Sequence, residues 1–343
     1  MTFSLASSGD TVIYAADLQE EESFMPENFR PAAGRPWAIG LKGLLKLMLG
    51  QMKGCPHFHL TFTSNLSVET GHSNLAALEI AAALVYRRFL GLDIPRQELA
   101  RFCQKTENDF LENPCGLMDS VTGLFAGNHS LLFTDYLTLE SKPMVPSHQV
   151  TFFLCSTGPR RATWKDECKK RREQCEGASA FFAKELQRPI QGLRDVTMTD
   201  WMAQKDKMDP VMAARAAHVI GENDRVRRAA ELMREGNYDE LGLLMHASHE
   251  SSMRSMENSI PEINYVVEQS HSIPGILGAR LSGGGFGGSA LLLAKTATIQ
   301  QTLEDLSSRY AERFGSRPDI HLITPSPCGG LYRAAPSAYY SET

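Results

Sequence analysis

Five glycines fall within six positions in "ARLSGGGFGGSALLLA", residues 279–294. Bare backbone of this kind serves either a tight turn or a close approach to a ligand. Read as Gly283, Gly285 and Gly288, the run fits G-x-G-x-x-G, which binds dinucleotides when it follows a strand and opens a helix. Here "SALLLA" follows, a short apolar run that reads as a buried strand, and "GILGARLS" before it reads as another. The glycines therefore join two strands, and the dinucleotide reading is weak; a hairpin loop without a ligand stays open. A second stretch, "ETGHSNLAALEIA", is a glycine loop opening a helix. Exposed amides and the helix dipole at such an end attract phosphate, although a plain capped core helix has the same pattern. A third, "TENDFLENPCGLMDSVTGLFAG", separates Glu107 from Asp119 by a Pro-Cys-Gly turn, with apolar Leu117 and Met118 before the aspartate. A carboxylate in apolar surroundings can orient a hydroxyl or bind a cation; a helix cap or a surface charge is the alternative.

Two further groups have plainer readings. His246 and His249 are three apart in "MHASHESS", with no third ligand nearby, so helix surface or core is expected. Arg160, Arg161, Lys165, Lys169, Lys170, Arg171 and Arg172 are interleaved with Asp166, Glu167 and Glu173, the pattern of a solvated helix face.

The elements that must position these residues follow from periodicity. "TVIYAADL" and "HFHLTFTSNL" alternate as half-buried strands. "GRPWAIGLKGLLKLML" is apolar at helical spacing. In "SNLAALEIAAALVYRRFL" Ala76, Ile80, Ala83 and Leu84 share one helix face, with Ser73 or Asn74 as cap. "HSLLFTDYLTLESKP" reads as a single strand and "VTFFLCST" as the next. Helices dominate from about 165 to 270, among them "KDECKKRREQCEGASAFFAKEL", with Cys168, Cys175, Ala178 and Phe182 in one stripe, and "PVMAARAAHVIGENDRVRRAAELMREG". A helix "TIQQTLEDLSSRYAERFG" and a strand "DIHLIT" come last. Strands and helices mix without regular alternation, so the fold class is α+β. Two domains are expected, 1–145 and 146–343, with the boundary between Pro143 and Pro146.

At 343 residues, 42 % apolar and 22 % charged, the composition is that of an ordinary globular chain. A net charge of −5 leaves no global basic field for nucleic acid or a membrane surface. No apolar run reaches membrane-spanning length. The seven cysteines include no C-x-x-C pair, and the N-terminus lacks a signal-peptide pattern. The expectation is a cytoplasmic monomer with reduced thiols, acting on a small molecule.

Together "GHSNLAALEIA", "CGLMD" and "LSGGGFGG" resemble the motifs of the GHMP small-molecule kinases, the galactokinase family most closely. "RREQCEGASAFF", "LRDVTMTDW", "RAAHVIGENDRV", "SIPEIN" and "GILGARLSGGGFGG" resemble that family's segments in the same order, so the likeness covers essentially the whole chain. It implies an N-terminal mixed α/β domain and a C-terminal α+β domain with the active site between them. It implies ATP and Mg2+ as cofactors and a monosaccharide acceptor, galactose or a relative, phosphorylated at the anomeric hydroxyl. Asp119 would be the catalytic aspartate and Glu107 the magnesium ligand. Gly71, His72, Ser73 and Asn74 would wrap the ATP phosphates, Ser73 also serving the metal. Gly283, Gly284 and Gly285 would belong to the motif beside the phosphate loop, and Gly116 would touch the sugar through its backbone.

The chain departs from that family's pattern at three places. The first motif is absent, so the family's first strands are expected to be missing. Leu75 stands where the family's last serine ligates magnesium, and leucine offers no oxygen to a hard cation. Cys168 stands where a tyrosine contacts the sugar. Three readings stay open: a galactokinase-like enzyme, a kinase for another acceptor such as a uronic acid, and a catalytically impaired regulator that binds sugar or nucleotide.

Overall fold

The computed structural model describes residues 1–6, 9–25, 34–50, 56–66, 74–158 and 162–330. In the first half, β1 (Thr2–Leu5), β2 (Thr11–Ala15), β3 (Glu20–Phe24) and β4 (Phe58–Phe62) form one sheet in the order β1-β4-β2-β3. β2 and β4 run parallel, which requires a crossover, and α1 (Pro36–Leu49) lies within it. Pro36 opens α1, and Ala38, Leu41, Leu44, Leu45 and Met48 recur at helical spacing and are all fully buried. They share a core with Ile13, Phe58 and Leu60 of the sheet and Tyr86 of α2 (Asn74–Phe89). The α2 face read from the sequence is the buried one: Ala76, Ile80, Ala83 and Leu84 all turn inward. α3 (Arg96–Phe110) and α4 (Met118–Phe125) complete this layer.

"HSLLFTDYLTLESKP" differs from the single strand expected. It is a hairpin of β5 (Leu131–Thr134) and β6 (Ser141–Met144). Asp135 makes the turn: its Oδ1 accepts from the amides of Leu137 at 2.8 Å and Thr138 at 3.3 Å. An Asp that hydrogen-bonds its own following backbone overrides a run with strand-like residues on both sides.

The second sheet has the order β10-β7-β9-β8 and is antiparallel throughout, built from β7 (Val150–Ser156), β8 (Ile276–Leu281), β9 (Ser289–Lys295) and β10 (Asp319–Leu322). Between β7 and β8 run α5 (Trp164–Leu186), α6 (Met198–Gln204), α7 (Pro210–Glu235), α8 (Tyr238–Ser251) and α9 (Pro261–Ser270). α10 (Ile299–Phe314) connects β9 to β10. Strands and helices are mixed without a repeating βαβ unit, as α+β implies. On α5, Ala178 and Phe182 are buried while Cys168 and Cys175 are half-buried. α8 lies directly on β8. A Cβ on Gly242 would stand 1.9 Å from the Leu277 carbonyl oxygen, and one on Gly278 would stand 2.4 Å from the Gly242 Cα.

Core residues up to Leu139 form one cluster, and those from Val150 onward form others. One connection was not legible in the sequence. After β10 the chain returns to α4, where Cys328 N donates to Ala126 O and Gly329 N to Gly123 O, both at 2.8 Å. Arg96 adds bonds to Leu124 O at 2.5 Å and to Cys328 Sγ at 3.3 Å.

The two histidines of α8 belong to this interior and its edge. His249 is buried and its Nδ1 accepts from Leu281 N of β8 at 3.2 Å, while His246 bonds Ser270 Oγ at 2.9 Å and stacks on His271. Burial above all holds His246, His249 and His218 of α7 down at about 4. A histidine with a folded pKa below its unfolded value stabilises the fold fully above about 6.5 and loses that contribution as pH falls through about 4. Glu79, a buried carboxyl of α2 that burial pushes up to about 9, has the opposite trend; with it replaced by Gln, the melting temperature is expected to be flat from pH 8 to 7 and to fall steadily from pH 6.5 towards 4.5. Circular dichroism melts check this, and a midpoint unchanged at pH 5 would contradict it.

Candidate active site

Asp119 sits in the first turn of α4, where a negative side chain is favoured by the helix dipole. It lines a cavity of about 920 Å³ between the two halves of the molecule. One wall is α2, through Ala77, Ile80 and Ala81; the other is the second sheet, through Leu154 and Leu291. Ser282, the residue that leads from β8 into the glycine run, lines the same cavity. Small residues on α2 keep that wall low, and the return segment closes one end with Gly329 and Gly330. Tyr136, in the β5–β6 turn, lies near enough to feel the aspartate: burial, then the charge of Asp119, push its phenol up.

The glycine run is the loop between β8 and β9, as the sequence implies. Gly283, Gly285, Gly287 and Gly288 all have positive φ, from 70° to 126°, and so does Phe286 at 61°. Crowding explains one of them. A Cβ on Gly285 would fall 2.1 Å from the Asn258 carbonyl oxygen, whereas Gly284 and Gly288 have nothing within 4 Å. The loop is pinned by Asn258, whose carbonyl accepts from Phe286 N at 2.7 Å and whose Nδ2 donates to Gly284 O at 3.1 Å. It is pinned again by Thr157 N donating to Gly288 O at 2.8 Å. Nothing in local sequence marks Asn258, because its role depends on where α9's leading loop meets the hairpin.

Glu107 is buried near the end of α3, and its carboxylate accepts from Asn113 Nδ2. The loop between α3 and α4 is braced by Asn108, whose Oδ1 accepts from Cys115 N at 3.2 Å. Gly116 in that loop is exposed, with open space around it. Glu107, Gly116 and Cys168 do not line the cavity that holds Asp119 and Ser282. Gly71, His72 and Ser73 lie outside the described residues. Asn74 opens α2, followed by a half-buried Leu75.

The basic run of α5 differs from a purely solvated face. Lys165 Nζ donates to Leu111 O at 3.2 Å, placing the start of α5 against the α3–α4 loop. Arg171 donates to Met256 O at 2.7 Å, and its guanidinium lies 5.7 Å from the centroid of the Phe286 ring in the glycine loop. α5 thus touches both the loop of Gly116 and the loop of Gly283–Gly288, and Cys168 lies on it between Lys165 and Arg171. Alternation of charge along the helix conceals these two inward contacts. Sequence reading also missed Glu79 of α2, which is buried at 1 % exposure. Its one visible signal is a lone acid inside an apolar helical stripe.

Comparison with known proteins adds the following. The GHMP kinase N-terminal domain matches residues 41–127, and the GHMP kinase C-terminal domain matches residues 229–312. A galactokinase of Pasteurella multocida is 31 % identical over 323 residues, covering 92 % of this chain and 82 % of that protein. A galactokinase of Haemophilus influenzae is 30 % identical over 322 residues with the same coverage. Among solved structures, Lactococcus lactis galactokinase complexed with galactose superposes with a TM-score of 0.85 at 23 % identity, covering 95 % of this chain and 85 % of that one. The mevalonate kinase of Methanococcus jannaschii shares the fold more distantly, with a TM-score of 0.57 at 15 % identity over 93 % of this chain and 86 % of that one.

Proposed function

The chain belongs to the galactokinase family of GHMP kinases, and we propose from that premise that it transfers the γ-phosphate of ATP to the anomeric hydroxyl of galactose or a close relative. The observation that carries this reading is the cavity between the halves, with the Asp119 carboxylate and the entry to the glycine loop on its walls. Phosphoryl transfer asks little covalent work of a protein; positioning and charge neutralisation dominate.

Asp119 takes the acceptor hydroxyl's hydrogen bond and its proton as the oxygen attacks. The N-terminus of α2, opened by Asn74 and preceded by Gly71 to Ser73, offers amides to the phosphates. Gly283, Gly284 and Gly285 approach them from the other side, with Asn258 holding the loop in shape. The family pattern assigns Gly116, in the α3–α4 loop, and Cys168, on α5, to sugar contact, although neither lines the cavity of Asp119. Glu107 suits Mg2+, because a buried carboxylate is the oxygen donor a hard cation prefers. When bound, that ion neutralises phosphate charge. The reaction takes place on a monomer in the cytoplasm, where ATP is supplied, and residues 1–145 and 146–343 are its two domains.

ADP release from ATP and magnesium with a panel of hexoses, pentoses and uronic acids tests the reading. Turnover on galactose or a near relative is expected; no turnover on any sugar overturns it. A narrower expectation concerns Leu75. It removes one oxygen beside the phosphates, so Leu75→Ser should lower the magnesium concentration needed for half-maximal activity. An unchanged requirement would place Leu75 away from the metal.

A further inference from the structure

Two non-glycine residues near the glycine loop hold left-handed backbone: Glu257 at φ 52°, and Phe286, inside the loop, at φ 61°. Such backbone is costly outside glycine and persists only where the surroundings over-determine it. Arg171 of α5 meets both. Its Nε donates to Met256 O at 2.7 Å and its Nη2 to Glu257 O at 3.2 Å. The same guanidinium lies 5.7 Å from the Phe286 ring centroid, within cation–π range. Glu167, one turn earlier on α5, fixes it through Nη1 at 3.2 Å.

Arg215 of α7 grips the same turn and is buried. Its Nε donates to Gln174 Oε1 of α5 at 3.0 Å, its Nη1 to the Ser255 carbonyl, and its Nη2 to Glu257 Oε2 at 2.5 Å. Ser252–Met256 form a π-helical turn after α8, a geometry frequent at functional sites. Asn258 comes directly after Glu257, and it is the residue bonded to both Gly284 and Phe286. A continuous path thus runs from the two guanidinium forks through residues 255–257 to Asn258 and the glycine loop. Arg171 closes it a second time through the Phe286 ring. A planar fork holds several carbonyls and a ring face at once, which a lysine ammonium does not.

We propose that Arg171 and Arg215 are positioning residues for phosphoryl transfer: by holding residues 255–257 they set Asn258 and the Phe286 ring, and so keep the glycine loop in the shape that approaches the nucleotide phosphates. The proposal rests on the kinase reading above, which brings Gly283, Gly284 and Gly285 to those phosphates. Neither arginine lines the cavity of Asp119, so their effect falls on the loop and not on the acceptor. Without the clamp the loop relaxes, and apparent nucleotide affinity falls with the fraction that keeps the competent shape.

Calorimetric titration with a non-hydrolysable ATP analogue and magnesium, without sugar, tests this apart from turnover. Arg171→Ala should weaken analogue binding by about tenfold, the factor set by releasing one strained residue. Arg171→Lys and Arg215→Lys, which keep the charge but not the planar fork, should lose affinity in the same direction. They serve as the probes if the Ala variant does not fold. Turnover separates positioning from general damage: KM for ATP should rise by the same factor, while KM for the sugar and kcat at saturating ATP stay within about twofold, because bound nucleotide draws the loop back. Analogue affinity unchanged in all three variants, with the wild type binding, overturns the proposal and leaves the kinase reading intact. Equal rises in both KM values, or losses that track a lowered melting temperature, give the arginines a structural role only and overturn it too. A wild type that binds no nucleotide overturns the kinase reading and this proposal together.

Discussion

Asp119→Asn is expected to lower kcat by about 10²- to 10⁴-fold, the usual loss when general-base help is removed. Asn keeps the shape of the side chain and its place in the first turn of α4, so the helix and the cavity wall stay as they are. What it loses is the charge and the capacity to take a proton from the acceptor hydroxyl. Nucleotide affinity should stay close to that of the wild type, because the proposed function assigns the phosphates to the α2 end and the glycine loop rather than to Asp119. Initial rates of ADP release and a nucleotide titration on the same preparation separate the two effects. Wild-type turnover in the Asn variant would make Asp119 a structural residue. Equal losses in kcat and in nucleotide binding would mean that the substitution disturbs the cavity as a whole.

Gly242→Ala carries the largest expected loss of stability. Its new methyl would fall 1.9 Å from the Leu277 carbonyl oxygen. Neither side can yield cheaply, since one is helix backbone and the other is the backbone of β8. Overpacking against flexible side chains typically costs about 1–3 kcal/mol. Here α8 must lift from the strand, so about 3 kcal/mol is a floor, and a fall of roughly 6–12 °C in melting temperature follows for a domain of this size. Gly284→Ala is the control: nothing lies within 4 Å of it, and a change within about 0.5 kcal/mol is expected. A Gly242→Ala protein that melts with the wild type would refute the contact.

How far the molecule could be read from its sequence depended on whether a residue's role is local. α2 carries a long periodic pattern whose buried face follows from spacing alone, and on α5 spacing finds the buried Ala178 and Phe182. The positive φ of the loop glycines is a local demand too, and only glycine meets it without strain. Asp119 and Glu107 stood out through the family resemblance, since read as single residues each fits a helix cap or a surface charge equally well. Glu79 did not, since an acid in a helix usually reaches solvent, and its burial is decided by α1 and α3. Asn258 and Arg171 were likewise invisible: each matters through backbone groups far away in the chain. The hairpin of β5 and β6 was missed because one aspartate, not a glycine or proline, makes its turn. The return of residues 325–329 to α4 rests on backbone hydrogen bonds, which leave no pattern in side-chain type.

The order of the second sheet governs how this chain is made. β7 is an interior strand, yet both its neighbours come much later: Val150 pairs with Lys295, and Ser156 with Asp319. At about 5–20 residues per second of synthesis, β7 waits on the order of ten seconds for its first partner. During that interval the edges of Phe153 and Cys155, fully buried in the finished protein, have no sheet to cover them. The first sheet has no such delay, because its four strands are complete by Phe62. Long-range pairing is also the slow kind, since loop-closure entropy must be met before the contacts reward it. The first half is therefore expected to pack ahead of the second, and the refolding yield from denaturant to fall as protein concentration rises.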